Sequence, residues 1–82
     1  MRLRRQPIGD KNLIGSRVEE ARKNQGMKQK ELLAQLQVRG VDMNSSGLSK
    51  LEGQIRSVSD YELLAVSEIL GVSVTWLLTG KK

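Results

Sequence analysis

Apolar residues recur along this chain at helical spacing almost throughout. Ile14, Val18 and Ala21 fall at i, i+4 and i+7, one face of a helix that runs to about Asn24. Asp10 is a residue type that caps such a helix, and Gly26, free to take positive φ, ends it. Leu32, Leu33 and Leu36, with Met27 leading in, set a second helix over Gln29–Leu36. Its N-cap position holds Lys28, a poor cap that Glu31 offsets in part through the helix dipole. The stretch Gln37–Met43 mixes turn formers (Gly40, Asp42) with apolar Val38, Val41 and Met43; helix two either stops at Leu36 or runs on to Arg39 and stops at Gly40. Asn44 caps a third helix, Ser45–Gly53, held to a core only by Leu48 and Leu51. Ser45, Ser46, Gly47 and Ser49 all cost helicity, so packing must impose this helix. Ser59-Asp60-Tyr61-Glu62 has the form of a capping box. It opens a fourth helix whose stripe is Leu63, Val66 and Leu70, widened by Leu64 and Ile69 and closed by Gly71. Ser73 caps a short fifth helix, Val74–Leu78, carrying Trp76, Leu77 and Leu78. No run alternates with period two for long enough to demand a strand. The pattern predicts an all-α, five-helix bundle over residues 10–79, with a basic arm over 1–9 and a tail over 80–82.

Composition narrows the chemistry. The chain has 82 residues, room for one small domain with one shared core. It holds 12 Leu, 7 Val and 4 Ile, well above a disordered composition. There is no Cys and no His, which removes disulfides, thiolate nucleophiles, the usual general base and the commonest metal ligands. A hydrolase triad and a zinc enzyme are excluded, and no catalytic residue, metal site or cofactor is expected. The longest apolar run is Leu63-Leu64-Ala65-Val66, far too short for a secretion signal or a membrane span, so a cytoplasmic location is the default expectation.

Charge points to a partner. Net charge is +5, and all of it lies in residues 1–43, with ten Lys/Arg against five Asp/Glu; residues 44–82 carry four of each. A one-sided basic surface suits a polyanion. Helix two is amphipathic, and helix three presents only small or basic residues outward. Ser45, Ser46, Gly47 and Ser49 would let a backbone approach the floor of the DNA major groove, about 12 Å wide. Lys50, one turn beyond Ser46, could reach guanine O6 and N7. The plainer reading, a solvated and poorly helical surface segment, is equally compatible with the composition.

The chain resembles the phage repressor and Cro type of helix-turn-helix domain, also called the XRE family. The residues that carry the resemblance are Ile14-Gly15-Ser16-Arg17-Val18, Arg22-Lys23-Asn24-Gln25-Gly26-Met27-Lys28-Gln29-Lys30-Glu31-Leu32, and Leu48-Ser49-Lys50-Leu51-Glu52. Ser59, the Leu63-to-Leu70 helix and a closing Ile69-Leu70-Gly71-Val72-Ser73-Val74-Thr75-Trp76-Leu77-Leu78 complete an ordered set over about residues 13–79. Two departures stand out. Gln37–Met43 is several residues longer than the family's usual connection, and Gly53-Gln54 stands where the family often has Asn-Gly.

The resemblance implies a bacterial or phage transcription regulator, a repressor in the first instance, that binds double-stranded DNA as a homodimer without a small-molecule ligand. It places Ser45, Ser46, Ser49 and Lys50 at base-facing positions. It places Gln29, with Lys28 beside it, over a phosphate at the start of helix two, where backbone N–H groups and the dipole favour an anion. Asn44, Arg56 and Ser57 fall where the family touches backbone; Gln54 or the N–H of Gly53 must stand in for the missing Asn, and the long turn makes Arg39 a further phosphate candidate. Arg22 and Glu52 match a structural ion pair between helices one and three. Trp76 and Leu77 match a dimer patch, with a core role for Trp76 the alternative. Arg2, Arg4 and Arg5 suit a minor-groove arm, with a solvated end the plainer reading. No effector domain is expected beyond residue 82, so any signal would come from a partner, concentration or proteolysis. Two rivals remain: an antitoxin of the same fold that also binds a toxin, and a protein-protein adaptor or membrane-surface module. The second lacks the strongly amphipathic basic helix with aromatic anchors that it would need.

Overall fold

The computed structural model describes residues 10–81. The expected basic arm therefore lies outside the described residues. Five helices follow in order: α1 (Gly15–Asn24), α2 (Gln29–Val38), α3 (Ser45–Glu52), α4 (Asp60–Leu70) and α5 (Val74–Thr79), with no strand among the described residues. Helix α3 packs on both α1 and α2, and α4 lies against α1, α2 and α5. Their shared core is aliphatic. Val18, Leu32, Leu36, Leu48, Leu51, Val66 and Leu77 are fully buried, and Ile14, Ala21, Val41, Met43, Ala65 and Leu70 complete it. The spacing argument placed most of these correctly. It failed at Leu64, which was expected to widen the α4 stripe and is instead 53% exposed, because Ala65 and Val66 take the inner positions.

Capping departs from expectation at the start of α1. Asp10 does not cap; the helix begins at Gly15, and Asn12 Oδ1 accepts from the backbone N–H groups of Ile14 (3.1 Å) and Gly15 (2.8 Å). Asn12 Nδ2 reaches across to Leu51 O (3.1 Å) and Arg56 O (2.9 Å), so one side chain ties the entry of α1 to the exit of α3. Gly15 must be small at that crossing, since a Cβ there would sit 2.8 Å from Gln54 Cγ and 2.9 Å from Glu52 O. At α2 the weak cap Lys28 is repaired by Glu31, whose Oε1 accepts from the Lys28 N–H at 2.8 Å. At α4 Glu62 does the same for the Ser59 N–H at 2.9 Å, as the capping-box motif predicted.

The long connection between α2 and α3 is anchored at both ends. Helix α2 runs to Val38, Arg39 is its C-cap, and Gly40 takes φ +83°. Val41 then bonds back to Leu36 O (3.0 Å), and Gln37 Nε2 donates to Met43 O (3.2 Å). Val41 and Met43 are buried, so the extra residues contribute to the core.

Candidate nucleic-acid interface

Helix α3 has two unlike faces. Leu48, Leu51 and Glu52 point inward and are buried, while Ser45, Ser46, Ser49 and Lys50 are exposed on the opposite side. The local sequence explains the split: Leu48 and Leu51, at i and i+3, are the only apolar residues in the helix, so burying them turns the serines out. Asn44 Oδ1 accepts from the Gly47 N–H at 2.7 Å and holds the first turn. A Cβ on Gly47 would lie 3.2 Å from that oxygen, so the small residue keeps the cap intact.

Below the outer face runs a buried polar junction. Arg22 grips Glu52 with two bonds, Nε to Oε2 at 2.8 Å and Nη2 to Oε1 at 3.1 Å, and its Nη1 donates to Met27 O at 2.8 Å. Gln29 Nε2 adds a bond to Glu52 Oε1 at 2.9 Å, and Gln29 Oε1 accepts from Ser49 Oγ at 3.3 Å. The ion pair expected between Arg22 and Glu52 is therefore present, with each guanidinium nitrogen hydrogen-bonded. Gln29 was expected over a phosphate. It sits at the α2 N-terminus beside α3, but one of its amide N–H groups is already committed inward.

No protein-family model, curated protein or solved structure matches the chain. The argument for function therefore rests on geometry and charge. Lys28, Lys30 and Lys50 are exposed and form no ion pair among the described residues. Most other cations are occupied: Lys23 by Glu19 (3.1 Å), Arg39 by Glu68 (3.0 Å), Arg56 by Glu62 (3.1 Å). Cations without an ion pair among the described residues thus stand at the start of α2 and on the outer face of α3, with Lys11 and Lys81 elsewhere.

Several candidate contacts are placed differently from expectation. Arg39 stands at the C-terminal end of α2, about 15 Å along the axis from Gln29, and turns to α4 instead of α3. The Gly53 N–H closes the helix on Ser49 O (2.9 Å) and is not free for a phosphate. Gln54 takes the left-handed conformation itself (φ +62°) and commits one Nε2 N–H to Asn12 O (2.9 Å). Arg56 is drawn towards Glu62, with Nη1 buried and unpartnered, as is Ser59 Oγ. Burial alone would raise the Glu62 pKa. The Ser59 N–H and the Arg56 guanidinium outweigh it, and the carboxyl titrates below its ordinary value. Ser57 is exposed beside this pair.

The expected dimer patch needs correcting. Leu77 is fully buried and has no surface to offer a partner, because the fifth helix is short and its one inward position falls there. Trp76 is half-buried against the core and lines a groove with Ala21, Gln25 and Val72. The exposed apolar residues on this side are Leu13 and Leu78, which line a groove of about 300 Å³ with Val58 and Leu63 beside the loop that leaves α3. The Asn12 cap and the Arg56–Glu62 pair are not evident from the sequence. Asn12 carried a signal, being a capping residue type three positions before Gly15, but Asp10 competed for the same role.

Proposed function

We propose that this protein is a sequence-specific DNA-binding regulator in which α2 and α3 act as a helix-turn-helix and α3 enters the major groove. One observation carries the reading: the outward face of α3 holds Ser45, Ser46, Ser49 and Lys50, and the start of α2, which bears Lys28 and Lys30, exposed and without an ion pair among the described residues, meets that helix through Gln29 and Ser49. Small side chains let the helix approach base edges, and unpaired lysines meet phosphate without first breaking an internal pair. The resemblance to repressor-type domains over about residues 13–79 adds to this. Two copies on a two-fold site would place their α3 helices about 34 Å apart. The Leu13–Val58–Leu63–Leu78 groove adjoins the exit of α3, and Lys11 and Asp60 on its rim give opposite charges for a second copy to pair with.

In vitro selection from random DNA is the test. It should return a two-fold site, with log K falling against log salt at a slope of about −3 to −7 for a dimer. Lys50→Ala should relax preference at one base pair by about 1–3 kcal/mol and leave random-DNA affinity nearly unchanged. A slope near zero, or no enriched sequence, overturns the reading. An antitoxin-type variant of the same function gains support from one observation. Tyr61 and Leu64 are exposed apolar residues on α4, apart from the groove described above.

A further inference from the structure

The polar junction beneath α3 reaches the outer face of that helix at one residue. Ser49 is exposed there, and among the described residues it is the one serine of that face with a side-chain hydrogen bond inside the protein: its Oγ lies 3.3 Å from Gln29 Oε1. Gln29 Nε2 lies in turn 2.9 Å from Glu52 Oε1, and Arg22 holds both Glu52 oxygens, at 2.8 and 3.1 Å. Each link sets the direction of the next. A carboxylate only accepts, so the Gln29 NH2 group must face Glu52; the flipped amide would set oxygen against oxygen. The Gln29 carbonyl oxygen, which also only accepts, is left facing Ser49, so the hydroxyl is the donor of that pair. At 3.3 Å the bond is long and adds little strength. Its consequence is directional. DNA docked on α3 strips water from Ser49, and Gln29 Oε1 is then the acceptor already within reach of the hydroxyl proton.

We infer that Ser49 meets DNA as an acceptor, with its proton turned inward, and so reads a base amine, adenine N6 or cytosine N4. Resting on the reading of α3 as the helix that enters the groove, this narrows what that reading leaves open, because a free serine hydroxyl both donates and accepts and separates bases poorly. Lys50, the next residue, only donates, so the two neighbours ask for opposite groups on the bases they meet. Gln29 acts here as a positioning residue, through Ser49 and without touching a base.

Selection from random DNA yields the site, and the affinities of wild type and Ser49→Ala for its single-base variants locate the pair that Ser49 reads. Two altered sites then probe the contact. One carries purine for the adenine of that pair, or 2-pyrimidinone for its cytosine, and so lacks the amine; the other carries the 7-deaza form of its purine and so lacks the N7 acceptor. On the selected site Ser49→Ala should bind roughly 2- to 10-fold more weakly than wild type. That ratio should vanish on the amine-less site and persist on the 7-deaza site. Changes in base pairing cancel, since both proteins meet the same DNA. In Gln29→Ala the hydroxyl loses its inward acceptor, so removing the amine should cost less than it costs the wild type. Circular dichroism must show both variants folded. A ratio that survives loss of the amine, or disappears with N7, overturns the inference. So does Ser49→Ala with no effect at any pair, or Gln29→Ala that lowers affinity for the selected and both altered sites by one common factor. Failure to enrich any sequence is a separate result, which overturns the DNA-binding reading and this inference with it.

Discussion

Two ion pairs in this molecule have nearly the same geometry and opposite meanings. Arg22 and Glu52 meet at 2.8 Å, Arg39 and Glu68 at 3.0 Å. The first pair is almost sealed, with side chains 8% and 4% exposed, and each guanidinium nitrogen of Arg22 makes a hydrogen bond. The second is about half in water. Distance therefore does not rank them; solvent does. A sealed pair becomes costly when one member is lost, since the other charge stays buried, whereas water takes over for an exposed one. The sealed pair joins three segments, α1, α2 through Gln29, and α3. The exposed pair closes a surface and stays free to exchange partners.

The largest expected effect is at the sealed pair. Arg22→Ala should destabilise the fold by about 3–5 kcal/mol in chemical denaturation, because Glu52 is left buried without its main partner. Replacing both residues by apolar ones should recover part of that loss. Recovery stays incomplete because Met27 O and Gln29 Nε2 also lose partners. Gln29→Ala comes next, at about 1–2 kcal/mol, since it removes one donor to Glu52 and the acceptor of Ser49. In DNA titrations the same variant should also weaken binding to random sequences.

The Arg56–Glu62 pair lies between the two extremes and adds a pH test. The folded-state pKa of Glu62 is depressed, so its stabilisation is fully present above the ordinary Glu value of about 4.3 and is lost as pH falls through the folded value. Denaturation midpoints of the wild type should drop faster with acid than those of Glu62→Gln, the two curves converging at the lowest pH. The smallest effect is Arg39→Ala, which should change monomer stability by less than about 0.5 kcal/mol. A loss comparable to that of Arg22→Ala would abolish the contrast between sealed and exposed pairs.

How much of this was legible in sequence differs by element. The α4 stripe, its Glu62 cap and its Gly71 end read directly, because each depends on residues within one or two turns. The α1 start did not, because Asn12 works through Leu51 and Arg56, about forty positions away. The candidate contact residues divide in the same way. Ser45, Ser46, Ser49 and Lys50 were readable as an outward face once Leu48 and Leu51 were taken as inward. Arg39, Gly53, Gln54 and Arg56 were not, because each finds an internal partner whose position depends on how the helices pack.

The sequence by itself determined five helices, their order, the exclusion of thiol and imidazole chemistry, and the two-faced character of α3. These follow from residue type and from spacing at 3.6 residues per turn, both local properties. Only the tertiary structure decided which cations remain free. Arg22, Arg39 and Arg56 are matched to Glu52, Glu68 and Glu62, while Lys28, Lys30 and Lys50 have no ion pair among the described residues. It also decided that Leu77 belongs to the core and that Leu64 stays outside it. Periodicity shows that a helix has an apolar face. Which residues at its margin are covered depends on the neighbour that arrives there, and that neighbour is set by packing between segments far apart in the chain.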